Sequence, residues 1–168
     1  NLSANGFETS GFDVSEARMA QFAELGGVSC ADAGAVGRHV DIVFVMVMNG
    51  DQAKQVILGD DGLVAHMAEG GIIILTATIR PSEAREIGEA LADTGIRMID
   101  SPVSGGFPGA QNGALTMMAA APEDLMAAAR PIMEAVSGTI HHVGKGPGEG
   151  QVMNCLLYTS DAADDGLC

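Results

Sequence analysis

Residues Gly71 to Ile99 read GIIILTATIRPSEAREIGEALADTGIRMI, and this stretch decides the fold. Gly71–Leu75 is an aliphatic run without polar alternation, the pattern of a strand buried on both faces. Pro81 then opens a helix at a position where its missing N–H costs nothing, and Ala84, Ile87, Ala90 and Leu91 recur on one face. That helix is expected over Pro81–Thr94, with Gly95 closing it. Ile96–Ile99 follows as a second short strand. Strand, helix and strand joined this tightly form a right-handed crossover in a parallel sheet.

The same alternation extends both ways. Upstream, the pattern predicts a strand over Gly6–Asp13, a helix over Ser15–Leu25 capped by Ser15, and a short strand over Val28–Cys30. A short helix (Asp32–Gly37), a second doubly buried strand (Asp41–Val47), a helix (Asp51–Leu58) and a further helical turn (Gly62–Met67) come next. Downstream stand a strand (Ala114–Ala119), a helix (Glu123–Val136) and a strand (Thr139–Val143). The expected architecture is α/β, a doubly wound and mostly parallel sheet of Rossmann type. No domain boundary is expected before Asn154.

Composition narrows the function. A chain of 168 residues can bury a real core; with 47% apolar but 4% aromatic residues, that core is aliphatic and methionine-rich. The net charge of −14, from 22 acids against 8 bases, repels phosphate backbones and argues against a nucleic-acid partner. The longest apolar run, Ile42–Met48, is too short to span a bilayer, so no membrane partner is expected. No secretory leader pattern is present, and Cys30, Cys155 and Cys168 form neither a paired framework nor a metal spacing. A cytoplasmic location is expected. His141 and His142 are neighbours on a strand and face opposite ways, so no metal site is expected there. Glu83, Glu86 and Glu89 with Arg85 read as a solvated helix face.

The chemistry concentrates in Asp100-Ser101-Pro102-Val103-Ser104-Gly105-Gly106, followed by Gly109-Ala110 and Gly113-Ala114-Leu115-Thr116. Adjacent glycines let backbone N–H groups converge on a small anion, and a serine beside them adds a hydroxyl. At the carboxyl end of a strand this suits a carboxylate ligand; an ordinary glycine-rich turn is the other reading.

The order DSPVSGGxxGAxxGxLT resembles the substrate loop of the β-hydroxyacid dehydrogenases, the family of 3-hydroxyisobutyrate dehydrogenase and 6-phosphogluconate dehydrogenase. Val47-Met48-Asn49-Gly50-Asp51-Gln52 and Ala77-Thr78-Ile79-Arg80-Pro81 are most similar to its L-threonate dehydrogenase branch. The resemblance implies hydride transfer between a nicotinamide cofactor and a small-molecule hydroxy acid. It implies that Ser104, Gly105 and Gly106 hold the substrate carboxylate. Val47, Met48 and Thr78 would lie beside the cofactor, with Thr78 at its nicotinamide end. Asp13, at the end of the second strand of such a fold, would accept the ribose hydroxyls, predicting NAD, with NADP not excluded because Arg18 lies one turn on. Asp13 as a plain helix-capping residue is the alternative.

Two departures stand out. No GxGxxG precedes the first helix, and Asn1–Gly6 reads as the end of that helix, so the first strand and its glycine-rich turn are expected to be missing. In the family a catalytic lysine follows a Gly-x-Gly turn and starts a long helix leading to an all-helical domain. After Gly144-Lys145-Gly146 that position holds Asn154, which has no titratable proton. No catalytic residue is therefore expected in this chain, and no turnover. From Cys155 the sequence resembles translated sequencing adaptor, and lysine and asparagine codons differ only in their third base. The expected division is a truncated dinucleotide-binding domain over 1–154 and a foreign tail over 155–168 that does not continue the helix. The alternative is a non-catalytic binding or interaction module that has lost the lysine. The full-length parent is expected to be a homo-oligomer.

Overall fold

The computed structural model describes the backbone of residues 1–164 and the side chains of residues 1–157. A 3-10 turn at Ser3–Asn5 leads to β1 (Ser10–Gly11), α1 (Glu16–Glu24), β2 (Val28–Ser29) and α2 (Ala33–Gly37). Then come β3 (Ile42–Val45), α3 (Gly50–Leu58), β4 (Ile72–Leu75), α4 (Pro81–Leu91) and β5 (Arg97–Asp100). The chain continues through β6 (Val103–Ser104), α5 (Gly106–Gln111), β7 (Leu115–Ala120), α6 (Glu123–Glu134), β8 (Ser137–Gly144) and α7 (Glu149–Asp164).

The main sheet runs β3-β4-β5-β7 with β8 on the far edge of β7. β3, β4 and β5 are parallel and in register, Ile42 beside Ile72 and Ile72 beside Arg97. β7 runs antiparallel to β5 and to β6, which prolongs the β5 edge after Pro102, while β8 runs parallel to β7. Every residue of β4 is buried, as its unbroken aliphatic pattern requires. The pleat sends Ile73 and Leu75 to one core with Ile57, Ala84 and Ile87, and Ile72 and Ile74 to a second with Ile99, Met117, Leu125 and Met133. α3 and α4 cover one face and α6 the other.

Several expectations change. The strands expected over Gly6–Asp13 and Val28–Cys30 shrink to two residues each, because β1 and β2 pair only with each other, Ser10 beside Val28, and not with the main sheet. Gly62–Met67 is an irregular turn, not helix. Leu63 anchors it in the core at 1% exposure, and its N–H donates back to Val56. The segment between β5 and β7, read as a loop, holds β6 and α5. The helix does not stop at Asn154. It runs on to Asp164, since Cys155 to Asp164 contain neither glycine nor proline and a helix with a fixed first turn propagates easily. The remainder of the expected tail, Asp165–Cys168, lies outside the described residues. Among the described residues no helix is long and apolar enough to cross a membrane.

Candidate functional site

Asp100 ends β5 wholly buried, and the site is built around it. Among the described residues its carboxylate has no cationic partner, and it accepts three N–H bonds. The backbone N–H of Gly148 donates at 2.8 Å and that of Gln151 at 3.3 Å to Oδ2, and the Gln151 side-chain amide donates at 2.8 Å to Oδ1. Burial pushes the Asp100 carboxyl above its ordinary range; the bonds from Gln151 and Gly148 oppose that shift. Gly148 precedes the first helical residue of α7 and has no side chain to cap it, so Asp100 supplies the acceptor from another element. Only glycine fits there: its φ is +90°, and a Cβ would stand 2.7 Å from the Pro81 carbonyl oxygen.

Gln151 extends this network to the loop after β4. Its Oε1 accepts the Ile79 N–H at 3.1 Å and its Nε2 donates to the Ala77 carbonyl at 3.1 Å. Thr78, between those two residues, remains exposed. A cleft of about 710 Å³ opens here, lined among others by Met48, Asn49, Thr78, Arg80, Gln151 and Asn154. Asn154 is 2% exposed, and among the described residues its Oδ1 and the Ser101 hydroxyl are buried without a hydrogen-bond partner.

The loop after β3 forms the opposite wall. The Asn49 side chain accepts the Gln52 N–H at 2.9 Å and caps α3, and the Gln52 side chain accepts the Met48 N–H at 2.9 Å. Met48 is left 85% exposed in the cleft. Val47 is half-buried and packs on the core. Met46, on the same loop, is also exposed.

Ser104, Gly105 and Gly106 form the turn from β6 into α5. Ser104 lies beside Thr116 of β7. Gly105 and Gly106 have φ values of +122° and +58°, which side-chain-bearing residues rarely adopt. This turn follows β5 as the Thr78 loop follows β4, so both stand at the same end of the parallel strands. Ser104 does not line the Thr78 cleft. Its neighbour Val103 lines a second, largely apolar cleft of about 370 Å³ between the two sheets, shared with Phe22, Phe44, Met46 and Met117.

Asp13 stands apart, beyond β1. Its carboxylate accepts the Ser15 N–H at 2.8 Å and meets Arg18 at 3.4 Å, while Ser15 caps α1 by accepting the Arg18 N–H. Thus Met48, Thr78 and Asn154 come together, Ser104–Gly106 sits at the same sheet end, and Asp13 does not line that cleft. Sequence reasoning missed Gln151 and gave Asp100 no role. An aspartate closing an apolar strand, with no basic residue beside it in the chain, was the available signal.

A family model for the NAD binding domain of 6-phosphogluconate dehydrogenase matches residues 1–144. L-threonate dehydrogenase of Cupriavidus necator is 34% identical over 155 residues, covering 90% of this chain and 52% of that protein. 3-Hydroxyisobutyrate dehydrogenase of Pseudomonas aeruginosa is 34% identical over 152 residues, covering 90% of this chain and 51% of that protein. A crystal structure of 3-hydroxyisobutyrate dehydrogenase from Salmonella typhimurium superposes with a TM-score of 0.87 at 29% identity, covering 93% of this chain and 54% of that one. The chain spans about half the length of the curated relatives it matches.

Proposed function

The chain belongs to the family of 6-phosphogluconate dehydrogenase NAD-binding domains, and from that membership we propose that it is part of a nicotinamide-dependent dehydrogenase of a small 3-hydroxy acid, of the 3-hydroxyisobutyrate or threonate kind. The observation that carries the reading is one cleft holding Thr78, Met48 and Asn154, whose buried Oδ1 has no hydrogen-bond partner among the described residues. The residues present fit a nicotinamide. The Asn154 oxygen is an acceptor without a donor, and a carboxamide or a hydroxyl supplies one. When bound, the dinucleotide supplies the hydride chemistry.

The chain's own groups hold and orient. Thr78, with Met48 and Val47 beside it, faces the ring. Ser104 and the N–H groups of Gly105 and Gly106 take the substrate carboxylate. Asp13 accepts the ribose hydroxyls and repels a 2′-phosphate, which favours NAD; its Arg18 neighbour leaves NADP open. Asn154 cannot take the hydroxyl proton, so the chain binds without turnover. The full-length parent is a cytoplasmic homo-oligomer in this reading, with residues 1–154 as its dinucleotide-binding domain.

Asn154 equally favours a second reading, a binding module that has dispensed with the catalytic base. The codon at position 154 in the parent gene separates the two: lysine supports the enzyme, asparagine the module. The binding itself is tested by titrating the chain with NAD and then with 3-hydroxyisobutyrate or threonate while following backbone amide resonances. Amides at Thr78 and Gly105–Gly106 are expected to shift, with no NADH formed. Silence at both places would overturn the site, and steady NADH formation would overturn the assigned inactivity.

A further inference from the structure

We propose that Gln151, oriented by Asp100, is the positioning residue that fixes Thr78 in the cleft. Ala77 is fully buried and Ile79 is 9% exposed, although the threonine between them faces the cleft. A buried carbonyl and a buried N–H left unpaired each cost substantial free energy, and among the described residues no backbone group pairs these two, although the Ala77 N–H bonds to the end of β3. One primary amide meets both needs: Gln151 donates to the Ala77 carbonyl and accepts the Ile79 N–H, as the backbone of a neighbouring strand would.

Such an amide could turn over and present its groups the wrong way round. Asp100 prevents this. An ionised carboxylate only accepts, so it binds the Nε2 side of Gln151 and leaves Oε1 for Ile79. The other carboxylate oxygen takes the N–H groups of Gly148 and Gln151, tying the first turn of α7 to the same point. Gly150 brings that turn against the sheet, since a Cβ there would lie 2.5 Å from the Met118 carbonyl oxygen. Thr78 is therefore registered to β5 and to α7 at once, and a displacement of α7 reaches it through one side chain. Asn154, one turn along α7, moves with the same unit.

That Thr78 faces a nicotinamide rests on the function proposed above; the positioning does not, and amide hydrogen exchange tests it without cofactor. In the unaltered chain the Ile79 amide is expected to exchange as slowly as those of Gly148 and Gln151, despite lying in a loop. Exchange at the rate of an open loop would overturn the proposal outright. In Gln151→Leu the Ile79 amide is expected to exchange about 10-fold faster or more, while Ile74 in β4 stays within about twofold. Equal acceleration of both would reduce Gln151 to a general stabiliser and defeat the proposal. Gln151→Glu sets two carboxylates together and should loosen Ile79 at least as much. Adding Asp100→Asn restores a donor–acceptor pair and should recover part of the protection; no recovery counts against the orienting role. A parallel titration with NAD separates the two ideas. Loss of Ile79 protection with no NAD-induced shift at Thr78 in any form sinks the cofactor site and leaves the positioning standing. An NAD-induced shift of equal size in Gln151→Leu and in the unaltered chain defeats the positioning alone.

Discussion

The Asp100–Gln151 corner and the β1–α1–β2 lobe are built from the same alternation of strand and helix, yet they differ in almost every physical respect. At the corner β4 is completely buried, the polar groups of Asp100 and Gln151 are paired, and β5 and α7 meet at one carboxylate, with the loop after β4 joined to them through Gln151. In the lobe the strands are two residues long, α1 has no buried residue, and Phe22 provides the main packing, its ring against Gly11 and Gly27. The β1–β2 pair shares no ladder with the main sheet, and a largely apolar cleft separates them. The lesson is that alternation specifies elements, whereas stability comes from neighbours on both sides of each strand.

The sharpest attempt to break the contrast removes Asp100. Asp100→Ala strands three donors in a dry interior and is expected to cost about 4 kcal/mol, read from urea denaturation. A cost below about 1 kcal/mol would mean that water reaches the corner. Next comes the core beneath it. Ile87→Ala is expected to lose about 3 kcal/mol through a cavity between α4 and the sheet.

The third test uses pH. The folded Asp100 carboxyl titrates above its ordinary value of 3.8, so the folded state holds a proton that the unfolded state releases in that window. Its contribution to stability is present at the acid end and is lost as pH rises through the folded value. Relative to Asp100→Asn, the unaltered chain should lose stability as pH rises from about 4, by at most about 1.4 kcal/mol per pH unit. The opposite slope would mean that the N–H bonds outweigh burial.

Smaller effects sharpen the other side. Phe22→Ala should speed exchange of the Val28 and Cys30 amides, which bond back to Thr9 and Gly11, yet move global stability by less than about 0.5 kcal/mol, because the lobe opens on its own. A large global loss would show that the lobe and the main sheet unfold together. Smallest of all, Asp124→Ala breaks an exposed ion pair with Arg97 (3.0 Å) and should cost under about 0.5 kcal/mol, less in high salt.

Legibility in the sequence followed burial. β3, β4 and α4 lie where their aliphatic runs and Pro81 indicate, within a few residues at each end, because strands buried on both faces leave a continuous signal. The N-terminal strands were overestimated, since local β-propensity cannot say whether a partner strand is present. The turn at Gly62–Met67 carries a helical spacing of apolar residues, yet Gly59 and Gly62 bend the chain there. Glu83, read as part of a solvated face, accepts the Arg80 N–H at 2.8 Å and lies against Gly50. At the site, Thr78, Met48 and Asn154 could be named from their motifs, and the fold gathers them into one cleft. Gln151 could not be named, for a glutamine inside a glycine-rich stretch looks like any polar surface residue.

By itself the sequence determined the α/β class, the order of the buried elements, the glycine turn after β6 and the absence of a protonatable side chain at position 154. These are properties of single residues and short-range periodicity. Only the tertiary structure decided that Asp100 caps a helix lying 48 residues further along the chain, that one amide pairs both flanks of Thr78, and that β1 and β2 stand apart from the main sheet. The reason is that a buried polar group must find its partner in space, and the chain alone does not say which distant group will be there.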